Sequence, residues 1–152
     1  MALRISIVIP SLNGTTLPRA LDAIADQTRQ PDEVIVVGRD EAGDLKRYPH
    51  VHFIDTGAPL CAAGARNWGI KAAQGDVIVF TDADCIPAKD WLAQHERCQV
   101  AGEKVFGGSV TACIYAKPIL WRYWLYLPIV HGSKIVYCVG AADTVRNGLP
   151  ER

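Results

Sequence analysis

The sequence predicts an α/β fold in which a mostly parallel sheet is flanked by helices on both faces. Short, β-rich apolar segments alternate along the chain with segments of helical periodicity, which is the pattern of βαβ units. The strand segments are almost wholly apolar, as expected of strands that are buried on both faces. A chain of 152 residues that is 49% hydrophobic and 21% charged has room for one domain with a sizeable core.

The first half of the chain predicts a strand, a helix and two further strands. The helix follows the first strand, with Thr15 or Thr16 as its cap and Pro18 in its first turn. It ends before Pro31, because the residue before a proline disfavours helical backbone. Residues 38–49 are polar and predict a loop with a short helical turn. The predicted strands are Ile5–Pro10, Glu33–Val37 and Val51–Ile54.

The second half predicts two further helices and two further strands. The first of these helices is rich in alanine, and Gly75 is placed to end it. The predicted helices are Leu60–Gln74 and Lys89–Ala101, and the predicted strands are Asp76–Thr81 and Lys104–Ala112. In a parallel sheet of this kind, ligands bind beyond the carboxyl ends of the strands.

Two acids, Asp82 and Asp84, directly follow the apolar run Val77–Phe80. Two carboxylates at a strand end can meet one divalent cation, and hard cations share oxygen ligands with phosphate. Aspartate is also common in turns, so a simple polar exit from the strand is the alternative. Asn13 and Asp40 follow the first and second strands, and this convergence at one edge of the sheet favours a ligand site.

The helix before the acidic strand carries the pair Arg66 and Asn67 among small residues. The small residues allow close packing on the sheet, but packing does not explain this polar pair. The planar guanidinium of Arg66 suits a phosphate or a carboxylate. Asn67 suits a base, a ribose or the backbone. The pair therefore favours a ligand role in the same βα unit as the acids.

Charge and cysteine content restrict the class of protein. Sixteen basic residues balance sixteen acidic ones, which argues against non-specific nucleic-acid binding. The five cysteines form no CxxC pair, and we expect reduced thiols in a cytoplasmic protein. The apolar opening is too short for a secretory signal and predicts a strand, and no run of eighteen apolar residues predicts a spanning helix.

An aromatic-rich stretch occupies residues 118–130. Its segment Trp121–Val130 is too short to cross a bilayer, but tryptophan and tyrosine favour the membrane interface. The simplest interpretation is a helix packed on the sheet. Three others remain open: a peripheral contact with the inner face of the membrane, an acceptor-side segment and a homodimer contact.

Four ordered segments resemble the family 2 glycosyltransferases of the GT-A type: Ile5–Asn13, Pro31–Val37, Gly64–Ile70 and Gly75–Asp84. The resemblance extends over roughly residues 3–112, most of the chain, and four ordered matches are far more specific than any one motif. The resemblance implies a Rossmann-like GT-A fold that transfers a sugar from a nucleotide-diphosphate donor, most simply a UDP-sugar, to an acceptor hydroxyl with inversion. It also implies a place in cell wall or polysaccharide biosynthesis.

The resemblance assigns roles to individual residues. Pro10 and Asn13 would line the nucleotide pocket, and Arg66 would contact the donor. Asp82 would contact the ribose or uracil and share the metal. Asp84 would bind Mg²⁺ or Mn²⁺, which bridges the diphosphate.

Two departures from the family pattern stand out. The family often has an aspartate directly after its second strand, whereas this chain has Gly38, Arg39 and then Asp40, which serves there only with a shifted loop. The family's catalytic base lies beyond the segment matched by residues 140–146. We therefore expect a donor-binding portion truncated before the base, for which Asp143 and Glu151 are poor candidates.

The expected organisation is a donor-binding core at residues 1–114 and the start of an acceptor-side region at residues 115–152, within the same domain. Three alternatives stay open. Two of them are binding of a nucleotide-sugar without turnover and a purely structural role as a domain of a larger assembly. A phosphatase of the haloacid dehalogenase type is a weaker alternative, because here the acidic pair comes late and Ile86 stands where that family has Thr or Val.

Overall fold

A computed structural model describes residues 3–101 and 135–138 of the chain. Its strands are β1 (Ile5–Leu12), β2 (Glu33–Arg39), β3 (Val51–Asp55), β4 (Val77–Phe80) and β5 (Ile135–Cys138). Its helices are α1 (Leu17–Ala25), α2 (Ala62–Ala72) and α3 (Trp91–Val100), with a 3₁₀ turn at Asp44–Arg47. The strands form one sheet in the order β3-β2-β1-β4-β5, and every pair is parallel. The predicted α/β class is confirmed.

The two faces of the sheet are both apolar, because successive side chains of a strand point to opposite sides. Ile5, Ile7 and Ile9 of β1 pack with α1 and α3 on one face. Val8 packs with Ile70 and other residues of α2 on the opposite face. Both faces are therefore covered, which explains the continuous apolar runs of the central strands.

Helix α2 is shorter than predicted at both ends. Cys61 has an extended backbone, and its sulfur accepts a hydrogen bond from the amide of Gly64, so the helix begins at Ala62. Ala73 is also extended, so the helix ends before Gly75 is reached. The prediction that Gly75 stops this helix is wrong.

Other boundaries also differ from the predictions. β1 continues two residues beyond Pro10, because it stays paired with β2 as far as Leu12. Helix α3 begins at Trp91 rather than Lys89. The predicted strand Lys104–Ala112 lies outside the described residues, and β5 had not been predicted.

The connection order places a topological switch point at the carboxyl ends of β1 and β4. From β1 the chain moves outward through β2 to β3, and α2 then carries it back to β4 on the other side of β1. Gly69 allows α2 to lie close to the sheet, since a Cβ there would be 2.2 Å from a methyl carbon of Val8. Open α/β sheets bind ligands in the crevice at such a point.

The amino edge of the sheet is occupied by structural hydrogen bonds. The carboxylate of Asp32 accepts from the amide of Ile5 at 2.8 Å. The hydroxyl of Ser6 donates to Glu33 at 2.6 Å and accepts from the amide of Gly75 at 2.9 Å. These side chains join β1 to the segments before β2 and β4, and the carboxyl edge is left for a site.

Within the described ranges, no helix has the length and apolar character needed to cross a membrane. The segment Trp121–Val130, the boundary at residue 114 and the candidate bases Asp143 and Glu151 lie outside those ranges. The predictions made for them stay predictions.

Candidate functional site

Loops from β1, β2 and β4 meet at the carboxyl edge. The backbone amide of Asn13 donates to the carbonyl of Arg39 at 3.0 Å, and the side-chain oxygen of Asn13 accepts from the amide of Glu41 at 2.9 Å. The hydroxyl of Thr16 donates to the carbonyl of Ala83 at 2.9 Å. The predicted convergence of polar residues at one edge is thus present in the structure.

The exit from β4 gathers three donor groups that suit a cation. Oxygen atoms of Asp82 and Asp84 and the sulfur of Cys85 lie within 4.8 Å of one another. The amide of Cys85 donates to the carbonyl of Asp82 at 3.1 Å and closes the turn that brings them together. Asp84 is exposed, so its carboxylate is open to a ligand. The two carboxylates fit Mg²⁺ or Mn²⁺, which prefer oxygen ligands.

Arg66 lies against the acidic pair. Its Nη2 is 2.5 Å from Oδ1 of Asp82, in an ion pair whose side chains are 23% and 40% exposed respectively. The Nε of Arg66 is buried and has no hydrogen-bond partner within the described part of the chain. Among the described residues, the carboxylate of Asp82 is thus paired with a guanidinium while the exposed carboxylate of Asp84 is not, and an unpaired carboxylate suits a cation.

Cys85 remains a thiol at neutral pH. Burial, reinforced by the carboxylates of Asp84 and Asp82, raises its pKa to about 12. A buried thiol of this kind is a poor nucleophile. The chemistry of the turn therefore rests on its two carboxylates.

Asn13 has a left-handed backbone, with φ at 53°, which asparagine tolerates better than most residues. This conformation turns the chain from β1 toward α1 at the rim of the sheet. Asn13 is exposed, and Pro10 lies half-buried in β1 beside Val37. Both predicted nucleotide-binding residues therefore lie on the strand or loop that borders the acidic turn.

β2 runs to Arg39, two residues beyond its predicted end, so Asp40 directly follows the second strand and the expected departure from the family pattern is wrong. Gly38 has φ at 145°, and a Cβ there would lie 1.7 Å from the carbonyl oxygen of Ser11. No side chain fits at this position. Asp40 follows two residues later, and its oxygens accept from the amides of Asp44 and Leu45 at 3.1 and 2.9 Å. Asp40 thus stabilises the 3₁₀ turn, and its predicted role toward a donor stays a prediction.

Asn67 is exposed on α2, and no hydrogen bond described for this region joins it to the acidic pair. The structure brings Arg66, Asp82 and Asp84 together but leaves Asn67 outside that group. Thr16 was expected only as a helix cap. It makes no side-chain cap and instead contacts Ala83, a pairing across 67 residues for which the sequence has no signal.

A family model described as "Glycosyl transferase family 2" matches residues 6–138. The chain belongs to this family. The GT-A portion expected from its motifs is thereby confirmed.

Curated relatives of this family 2 chain are named as glycosyltransferases. The chain is 32% identical to the amylovoran biosynthesis glycosyltransferase AmsB of Erwinia amylovora, over 66% of this chain and 38% of that protein. It is 31% identical to the beta-1,3-glucosyltransferase WfgD of Escherichia coli, over 64% of this chain and 40% of that protein. The chain thus matches well under half the length of these relatives.

Solved structures show the same fold around a nucleotide. Residues 1–349 of S. aureus TarS, in complex with UDP, superpose on 77% of this family 2 chain, which covers 38% of that TarS chain, with a TM-score of 0.59 and 18% identity. The mannosyltransferase PcManGT from Pyrobaculum calidifontis, in complex with GDP-Man and Mn²⁺, covers 61% of this chain and 33% of its own, with a TM-score of 0.51 and 26% identity. The TarS likeness shows the fold alone.

Proposed function

We propose that this chain is the donor-binding part of a glycosyltransferase that uses a nucleotide-diphosphate sugar and a divalent cation. The observation that carries the proposal is the placement of Asp82, Asp84 and Arg66 together at the switch point between β1 and β4. Two carboxylates and a guanidinium suit a cation and the pyrophosphate that it accompanies. The Mn²⁺ and GDP-Man in PcManGT support this combination.

Asp84, with Asp82, would hold Mg²⁺ or Mn²⁺. When bound, the cation would neutralise the nucleotide diphosphate as it departs from the sugar. Arg66 would hold one carboxylate in place and meet a phosphate oxygen through the exposed part of its side chain. Asp84, which is exposed, would meet the cation from the solvent side.

The nucleoside would lie along the loops that follow β1 and β2. Pro10 and Asn13 border this region, with Asp40 and Asn67 at its margins. We expect a UDP-sugar, since the relative WfgD, at 31% identity, is named for transfer from UDP-Glc. Transfer with inversion would require a base that deprotonates the acceptor hydroxyl. We assign that base to none of the described residues.

The test is a thermal-shift panel of UDP, GDP and other nucleoside diphosphates, with and without Mn²⁺. One nucleotide should raise the Tm more with Mn²⁺, by roughly 5–10 °C at a ligand concentration of about 100 times Kd. Asp84→Asn should remove the gain due to Mn²⁺, because it removes the exposed carboxylate. Asp26→Asn is the matched control, since Asp26 is exposed at the C-cap of α1, at the end of the helix away from the site. If no nucleotide raises the Tm in either condition, the proposal fails.

Binding of a nucleotide-sugar without turnover is the second candidate, because the residues placed at the site account for binding of a donor and a cation but for no proton transfer from an acceptor. Measuring UDP release from a UDP-sugar, with and without polysaccharide precursors, separates the two. The family assignment favours both over the haloacid dehalogenase alternative. A phosphatase would instead hydrolyse a generic phosphate ester and lose that activity in Asp82→Ala.

A further inference from the structure

Thr16 occupies the cap position of α1 without capping it. Its backbone is helical, and its hydroxyl makes no hydrogen bond to the first turn of the helix. The hydroxyl instead donates to the carbonyl of Ala83 at 2.9 Å. A residue type that usually stabilises a helix end is thus used to hold the turn after β4.

Ala83 is the residue between the two acids, so its peptide groups help to set where both carboxylates point. Its carbonyl is held by Thr16, and the amide of Cys85 holds the neighbouring carbonyl of Asp82 at 3.1 Å. Gly14 also packs closely here, since a Cβ on Gly14 would lie 3.3 Å from the Cβ of Ala83. The acidic turn is therefore fixed from its own backbone and from the loop that follows β1.

We infer that Thr16 is a positioning residue of the cation site. Its hydroxyl holds the peptide between Asp82 and Asp84, so that both carboxylates are already oriented before a cation arrives. An oriented site binds more tightly because less conformational freedom is lost on binding. Thr16 itself does not touch the cation. This inference rests on the proposed function, because it assigns the acids to a cation.

The same contact joins the nucleotide side of the site to the cation side. Asn13 and Thr16 lie on one short loop, and that loop is bonded both to the backbone after β2 and to the turn after β4. A nucleotide that orders the loop should therefore favour cation binding, and a cation should favour the nucleotide by the same factor. Loss of the Thr16 hydroxyl should reduce that factor.

The experiment compares Thr16→Val with Thr16→Ser and with Thr15→Val. Valine keeps the shape of threonine and removes the hydroxyl, serine keeps the hydroxyl, and Thr15 is the exposed neighbour. The Mn²⁺ affinity is measured by the electron paramagnetic resonance signal of free Mn²⁺. The UDP affinity is measured by calorimetry with and without Mn²⁺. Thr16→Ala replaces Thr16→Val if the valine impairs folding.

Thr16→Val should bind Mn²⁺ roughly three- to tenfold more weakly, as expected for one lost hydrogen bond. Its UDP affinity without Mn²⁺ should not change, and the gain in UDP affinity due to Mn²⁺ should fall. Thr16→Ser and Thr15→Val should match the wild type, a pattern that a role limited to helix stability would not produce.

The inference is overturned if Thr16→Val and the wild type have the same Mn²⁺ affinity and show the same gain in UDP affinity on addition of Mn²⁺. That result would leave the proposed function intact. Failure of the wild type to bind either Mn²⁺ or any nucleotide would overturn the proposed function, and this inference with it.

Discussion

The carboxylate of Asp82 forms the ion pair with Arg66 and would also bind the proposed cation. A single carboxylate can serve both, because its second oxygen is available when Oδ1 contacts the guanidinium. The ion pair restrains the carboxylate and removes part of its negative charge. Arg66 therefore weakens the attraction of the empty site for a bare cation and strengthens it for a cation that arrives with phosphate.

Replacement of Arg66 should separate these two effects. Arg66→Gln should bind Mn²⁺ alone as tightly as the wild type or a few-fold tighter, since two acids then lie uncompensated. It should bind UDP with Mn²⁺ roughly tenfold more weakly, because a charge-assisted bond to phosphate is lost. Calorimetry on the variant and on Arg19→Gln, an exposed control on α1, measures both values. Parallel loss of Mn²⁺ and UDP binding would contradict this account.

Helix α2 transmits its position to the site because it carries Arg66. Gly69 sets its distance from the sheet, because the side chain of Val8 occupies the space that a side chain at position 69 would need. In an open helix, alanine in place of glycine is stabilising by about 0.5–1 kcal/mol. Here the added carbon would overlap a methyl carbon of Val8, which is fully buried. The steric clash therefore outweighs the helix preference of alanine.

Gly69→Ala should therefore destabilise the protein by about 1–3 kcal/mol, the usual cost of overpacking a core. Val8→Ala makes room for the new carbon, so the double variant should be more stable than the sum of the two single changes predicts. Urea unfolding of the four proteins in this cycle measures the coupling. Additive effects would show that Val8 does not limit the approach of α2.

Helix α3 makes stability depend on pH. His95 is buried beside Trp91, with ring centroids 5.1 Å apart, and burial lowers the pKa of His95 to about 4. Between that value and the ordinary pKa of histidine, the unfolded chain binds a proton that the folded chain does not. Stability should therefore fall as the pH drops through this range and be fully retained above it.

The expected loss from this group between pH 7 and pH 5 is about 2 kcal/mol. His95→Leu should show a shallower pH dependence of urea unfolding in that range. His50→Gln, at an exposed histidine, should keep the dependence of the wild type. Equal slopes in all three proteins would rule out His95 as the source.

At the scale of the whole molecule, local pattern was enough for the fold. The central strands are apolar on both faces, and this composition identifies them without tertiary information. Polar residues after β1 and β4 could be placed at one edge because parallel strands share a direction. The resemblance to the family then predicted roles for Arg66, Asp82 and Asp84. The structure confirms that these three side chains lie close together.

Contacts between distant loops could not be predicted in this way. The hydrogen bond from Thr16 to Ala83 depends on how the loop after β1 and the turn after β4 are placed relative to each other. Local residue propensities carry no information about that placement. The ends of α2 depend on the backbone of Cys61 and Ala73, where alanine-rich sequence continues without a break. β5 has a β-rich composition, but four residues are too short a signal to stand out.

Ligand binding should affect the two edges of the sheet differently. With a nucleoside diphosphate and Mn²⁺, amide hydrogen exchange should slow in residues 11–16 and 81–85. The amino edge, at residues 3–6 and 74–76, should exchange as before, because its hydrogen bonds are structural. Mass spectrometry of proteolytic peptides measures both regions in one sample. Uniform slowing across both edges would indicate general stabilisation rather than a site at the carboxyl edge.

The central position of β1 has a consequence for synthesis of the chain. The strand made first pairs on one flank with β2 and on the other with β4, and the partner of Ile5 on β4 is Val77, which lies 72 positions later in the chain. Closing so long a span is entropically costly and slows folding. A nascent polypeptide on the ribosome must therefore carry a half-paired, apolar strand until β4 has emerged. Messages that stop short of β4 should yield aggregation-prone products.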